Sequence, residues 1–301
     1  MNARRLLGWL IGWRLLGPVI VPRWKSEQEH PWRVEGRTVF VGDSEFLVRQ
    51  VGPAGAPEVL LIHGLGGSSL GEWYAPGRLL ARRFRVTMVD HRNHGLSPRT
   101  TTRFEVEDVA DDVAAVLAEL GIDSIDVVGY SMGGAIAQSL AHRHPRQVRR
   151  LVLVATLATH TTAARLLRMA SVLVIRAWER ITGVGTPGVR WAYLAGTGAV
   201  RRPHRRWLWA DTHRRDPEAG AAAAFAILRF DSRPWLAQLD HPCLVVIPTR
   251  DQLVLPRWQY DLASRLRRAE IVELTGARHE APWTHAEQLA SAVAEFLARP
   301  V

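Results

Sequence analysis

The chain has 301 residues, 47% apolar and 23% charged, with a formal net charge of +10. That balance excludes a disordered chain and allows one large α/β domain with an inserted element, or two small domains. Its single cysteine, Cys243, excludes an internal disulfide and makes no demand for an oxidising compartment. The arginines are scattered among apolar helical segments, so no nucleic-acid partner is expected.

Residues 1–37 form an apolar and basic arm. Leu6 to Val21 is apolar but broken by Arg14, preceded by Arg4 and Arg5, and accompanied by Trp9, Trp13 and Trp24. A spanning helix needs about 20 apolar residues, more than this stretch supplies. Gly17-Pro18-Val19 makes a poor signal-peptide cleavage site. Two readings stay open. Residues 1–24 lie peripherally on a membrane, with Arg and Trp at headgroup level, or they pack on the protein's own apolar surface. The expected location is cytoplasmic, peripheral at the membrane under the first reading.

Thr38–Val41 and Glu45–Gln50 read as two strands joined by a turn at Gly42-Asp43. Short, mostly apolar runs follow at 59–62, 85–89, 125–128, 151–154, 244–247 and 271–274. Runs without alternation suit strands buried on both faces of a parallel sheet. Amphipathic stretches at 106–120, 133–143 and 285–298 alternate with them. The expected fold is α/β: a doubly wound, mostly parallel eight-stranded sheet flanked by helices. Residues 38–157 and 240–301 make that core. Residues 158–239 break the rhythm with helical pieces at 163–181, 204–214 and 218–229, and read as a helical lid insertion. Its tryptophans, Trp178, Trp191, Trp207, Trp209 and Trp235, either line an acyl channel or pack the lid on the core; packing is the expectation.

Gly129-Tyr130-Ser131-Met132-Gly133 fits G-x-S-x-G. The pattern alone arises by chance, but here a strand precedes it and a helix follows. A nucleophilic serine sits there on a strained turn, where side chains at 129 and 133 would collide. It needs a base, and the chain order in this architecture is Ser, acid, His. Asp251 and His279 both follow strands at carboxyl ends, where open α/β sheets build their sites. Asp231 is the rival acid and His285 the rival base. His30, His142, His144, His160 and His204 read as surface residues, and His241 as a connector. His63-Gly64-Leu65-Gly66-Gly67 would bring backbone donors near the nucleophile, with the N–H groups of Leu65 and Met132 as the oxyanion pair. His63, Gly64, Gly129 and Gly133 support that arrangement. No metal or organic cofactor is expected.

With Asp90-His91-Arg92-Asn93-His94-Gly95-Leu96-Ser97, these motifs resemble the α/β-hydrolase superfamily, in its order, over residues 38–157 and 240–298. Asn93 stands where the family's D-x-R-G-x-G-x-S turn has glycine. Asparagine tolerates positive φ, so the departure is mild, and that turn reads as structural. The resemblance implies the serine-nucleophile, esterase- and lipase-like branch, since the dehalogenases and epoxide hydrolases that resemble this chain use aspartate at the elbow. The expected activity is hydrolysis of a carboxylic ester with an apolar, lipid-like acyl group. A C–C bond hydrolase and a non-catalytic binding protein on the same scaffold are the alternatives. The oligomeric state is left open.

Overall fold

The computed structural model describes residues 30–99, 103–182, 194, 196–200, 202–213 and 217–300; the expectations for residues 1–24 lie outside them. Each apolar run becomes a strand: β1 (Gly36–Val41), β2 (Ser44–Val51), β3 (Glu58–Ile62), β4 (Arg85–Val89), β5 (Ile125–Tyr130), β6 (Val148–Val154), β7 (Cys243–Pro248) and β8 (Ala269–Leu274). They form one sheet in the order β1-β2-β4-β3-β5-β6-β7-β8. β1 and β2 pair antiparallel around Gly42, whose φ of 55° turns the chain, and β2 pairs antiparallel with β4. All other pairings are parallel.

The central runs are apolar because both sheet faces are covered there. Leu60, Ile62, Ile125, Val127, Leu151 and Leu153 pack in one core; Val59, Leu61, Val128, Val152 and Val154 pack in a second. The helices in chain order are α1 (Ser69–Trp73), α2 (Pro76–Leu80), α3 (Val106–Glu119), α4 (Met132–Arg143), α5 (Thr162–Thr182), α6 (Arg205–His213), α7 (Pro217–Arg229), α8 (Pro256–Arg265), α9 (Ala281–Thr284) and α10 (Ala286–Leu297). α3 and α4 close the first face; α2 and α10 close the second. After β3 the chain runs to β4 on one side, then crosses to β5 on the other. The carboxyl ends of β3 and β5 therefore flank the point where strand order reverses, which is where such sheets leave a crevice.

The segment between β6 and β7 holds α5, α6 and α7. Its second half is not separate from the main domain: Ala223, Ala226, Phe230, Leu236 and Leu239 join the first core. Its middle carries a small cluster of its own, in which Leu194, Val200, Trp207 and Leu208 pack with Tyr74. Trp207 and Trp235 are packing residues, the latter stacked on His142 with centroids 4.4 Å apart. The side chains of Trp178 and Trp191 lie outside the described residues.

Under the crevice, two buried imidazoles join the ends of β3 and β4. His63 and His91 stack at 3.7 Å, and the His91 ring reaches the His63 carbonyl at 3.2 Å. Burial pushes the His91 ring down from 6.5 to about 4. His160, read from sequence as a surface residue, is buried beside Trp258. Burial first, then Arg168 and Arg165, pushes it down to about 4. A chain that is protonated near 6.5 when unfolded must shed those protons to fold. Stability is therefore full above pH 6.5 and falls as pH drops toward 4. Thermal melting across this range should show Tm declining below about pH 6.5, with a shallower decline in His91→Gln. A Tm that stays flat to about pH 5 would contradict two buried neutral rings.

Candidate active site

The serine turn is built by backbone packing. Ser131 sits between the end of β5 and the start of α4 at φ 54° and ψ −120°, one of three non-glycine residues with positive φ among those described. A Cβ on Gly129 would lie 2.3 Å from the Gly133 carbonyl, across the turn. A Cβ on Gly133 would lie 2.3 Å from the Ile62 carbonyl and 2.6 Å from that of His63. The first glycine thus lets the turn close on itself, and the second lets α4 press on the end of β3. Ser131 N–H donates to the Val154 carbonyl at 2.9 Å, which anchors the turn to β6.

Asp251 follows β7 and His279 follows β8, and the structure brings both to Ser131. His279 Nδ1 lies 2.8 Å from Asp251 Oδ2, and Nε2 lies 3.0 Å from Ser131 Oγ. A carboxylate only accepts, so the ring proton belongs on Nδ1 and Nε2 is left to accept from the hydroxyl. Asp251 is buried and fully satisfied: Oδ1 accepts from the N–H groups of Leu253 and Val254, each at 2.8 Å, and Oδ2 also accepts from Gln259 at 3.3 Å. The Tyr130 hydroxyl donates to the His279 carbonyl at 2.8 Å and fixes the loop that carries the ring. The rivals stand elsewhere. Asp231 is clasped by Arg233 at 2.6 Å, and His285 precedes α10 beside Thr284.

The Gly-rich loop after β3 lies against the same turn, since a Cβ on Gly64 would be 3.1 Å from Ser131 Cβ. His63 Nε2 accepts the His91 N–H at 3.4 Å, so its proton sits on Nδ1 and donates to the Gly64 carbonyl at 3.0 Å. Sequence reasoning missed the loop's main brace. Glu72, on α1 and 1% exposed, accepts the Gly64 N–H at 2.5 Å. A Cβ on Gly67 would lie 2.3 Å from that carboxylate, so glycine leaves it room. Met132 opens α4, and Leu65 follows Gly64 in the braced loop. The positive end of the α4 dipole points into this region. A short acidic helix after a glycine loop gives no signal that its carboxylate folds back; only the fold supplies that pairing.

The Asp90–Ser97 turn is a brace as well. Asn93 has φ 64° and Gly95 φ 52°. Asp90 accepts from the Ser69 N–H at 2.7 Å and the Leu96 N–H at 3.0 Å, and Ser97 Oγ accepts from Leu47 N–H at 3.0 Å. Among the described residues no group of three or more His, Cys, Asp or Glu is arranged to hold a metal ion. An open cavity lined by Arg83, Asp126, Arg149 and Arg150 lies at the amino end of β5 and β6, the opposite edge of the sheet from Ser131. Arg149 and Arg150 are engaged with Asp126, at 3.3 and 3.7 Å.

The α/β-hydrolase fold family matches this chain over residues 57–188. An uncharacterized protein of Mycobacterium tuberculosis is 35% identical over 124 residues, 41% of this chain but only 35% of its own length. RutD of Serratia proteamaculans, provisionally named a carbamate hydrolase, is 29% identical over 241 residues, 77% of this chain and 87% of its own. A thermophilic esterase from Thermogutta terrifontis superposes with a TM-score of 0.73 at 25% identity, covering 88% of this chain and 98% of that one. By sheet order and by these likenesses the chain has the α/β-hydrolase fold.

The Glu72 brace can be tested directly. Glu72→Ala leaves the Gly64 N–H without its acceptor. It should lower kcat for an activated ester by about ten- to a hundredfold, with KM changed far less. Glu72→Gln, which keeps an acceptor oxygen, should recover most of the loss. A kcat within about twofold of wild type in Glu72→Ala would show that the loop holds its shape without the brace.

Proposed function

We propose that the protein is a serine hydrolase that cleaves a carboxylic ester of apolar, lipid-like acyl character through an acyl-enzyme at Ser131. The observation that carries the reading is the continuous relay from Ser131 Oγ through His279 to the buried Asp251.

In this reading Ser131 Oγ attacks the ester carbonyl carbon while His279 Nε2 takes its proton. The carbonyl electron pair moves to oxygen, and that oxyanion accepts from the N–H groups of Leu65 and Met132. Asp251 stays ionised, holds the ring's tautomer and stabilises the imidazolium. Collapse breaks the bond to the alcohol oxygen, which leaves with the proton from His279. Water then repeats the sequence on the acyl-enzyme, releasing the carboxylic acid and restoring Ser131. The ester class draws support from the likeness to the esterase and from the apolar residues Leu65, Met132, Leu157 and Val254 in the segments after β3, β5, β6 and β7.

The test is turnover on p-nitrophenyl esters of graded acyl length, beside a thioester, an amide and a carbon–carbon ring-cleavage substrate. Medium-length esters should be the best substrates. Ser131→Ala should fold normally and lose on the order of 10⁶ in kcat. A Ser131→Ala variant keeping about a tenth of the wild-type rate would remove the nucleophile assignment. Turnover confined to the ring-cleavage substrate would overturn the ester reading.

A further inference from the structure

Helix α5 is amphipathic in the reverse sense from a helix that packs on its own protein. Along its 21 residues, Leu166, Leu167, Leu173 and Val174, with alanines at 163, 170 and 177, fall on one stripe at i, i+3, i+4 and i+7 spacing. That stripe faces outward: Leu166 is 63% exposed, Leu167 71%, Leu173 60% and Val174 68%. The opposite face, which carries Arg165, Arg168 and Arg176 beside Met169 and Val172, turns toward the protein. Arg165 reaches the Thr159 hydroxyl at 3.3 Å, Arg168 binds the Leu253 carbonyl and lies 5.3 Å from the Trp258 ring, and Arg176 pairs with Glu218. Leu253, 46% exposed, extends the apolar surface from α5 to the loop that holds Asp251. An apolar face of this length, on the order of 30 Å, is too large to be incidental.

The charge says what covers it. Residues 158–239 carry thirteen arginines against five acidic residues, a net of +8. Residues 1–37 add +4, and the remainder of the chain is −2. A second copy would set +8 against +8 across the interface, and the basic N-terminal segment would also bring like charge. An anionic lipid surface offers both complements at once: acyl chains for the stripe and phosphates for exposed arginines of the segment such as Arg180, whose side chain is 75% exposed.

We propose that the outward face of α5, extended by Leu253, is the surface by which this protein docks on an anionic phospholipid membrane. Docking would set the segment after β7 and its Asp251 loop beside the lipid. The proposal does not depend on which bond Ser131 cleaves.

Co-sedimentation of the full chain with phosphatidylcholine vesicles, with and without about a quarter phosphatidylglycerol, tests it. The protein should bind the anionic vesicles at low salt and lose most of that binding at about 0.5 M salt. The pair Leu167→Glu and Val174→Glu should weaken binding by about tenfold or more, with turnover of a water-soluble short-chain ester and Tm unchanged. Leu167→Ser with Val174→Ser is a milder pair and should show the same direction. Equal vesicle binding by wild type and both pairs would overturn the proposal and leave the N-terminal segment as the membrane contact. No vesicle binding would also overturn it. So would a dimer in light scattering that the substitutions dissolve, which would make a second copy the occupant.

Discussion

The backbone at Ser131 is the constraint around which the other parts are arranged. A non-glycine residue at φ 54° and ψ −120° costs about 1–3 kcal/mol and persists only where its surroundings over-determine it. Here β5 is buried along its whole length, α4 is buried from Met132 to Ala141, and two missing Cβ atoms let them meet at a sharp angle. The result lifts the serine hydroxyl out at the carboxyl edge of the sheet, with the start of a helix at its back. His279 and Asp251 approach it from segments after β8 and β7, each strand held in register by its parallel neighbour. Precision at the hydroxyl therefore rests on sheet geometry rather than on the loops themselves.

Much of this arrangement is legible in the amino-acid sequence. All eight strands are readable: the central parallel ones because a sheet covered on both faces needs near-continuous apolar runs, and β1 and β2 because a glycine turn joins them. The serine turn, Asp251 and His279 are readable because chemistry and chain order restrict them to strand ends. Asn93 fits its turn for the expected reason, adopting φ 64°. The elements that escape are short or defined by partners. α1, α2 and α9 have five residues or fewer, too few for a period to register, and α8 is a short helix opened by Pro256. Glu72, Gln259 and the Tyr130 hydroxyl work through contacts 8 to 149 residues away in sequence. His160 escapes because burial of a lone histidine depends on Trp258, an aromatic from another element.

The inserted segment links these levels. Its later part shares the main core through Phe230 and its neighbours, while α6 reaches the glycine loop's helix through Asp211, which accepts from Ser68 Oγ at 2.8 Å. Ser68 in turn caps α1, the helix that carries Glu72. The segment that bears most of the chain's net positive charge is thus hydrogen-bonded, two steps away, to the loop beside Ser131. The outer surface of α5 and the buried residues around Ser131 therefore belong to one packed unit.

Covalent labelling with a fluorophosphonate tests the central claim most directly, because the probe reacts with a serine only when a neighbouring base raises its nucleophilicity. Peptide mapping by mass spectrometry should place a single adduct on Ser131. The adduct should vanish when His279 is replaced by alanine in a protein that still folds. An adduct on a different serine, or undiminished labelling of Ser131 without His279, would contradict the account.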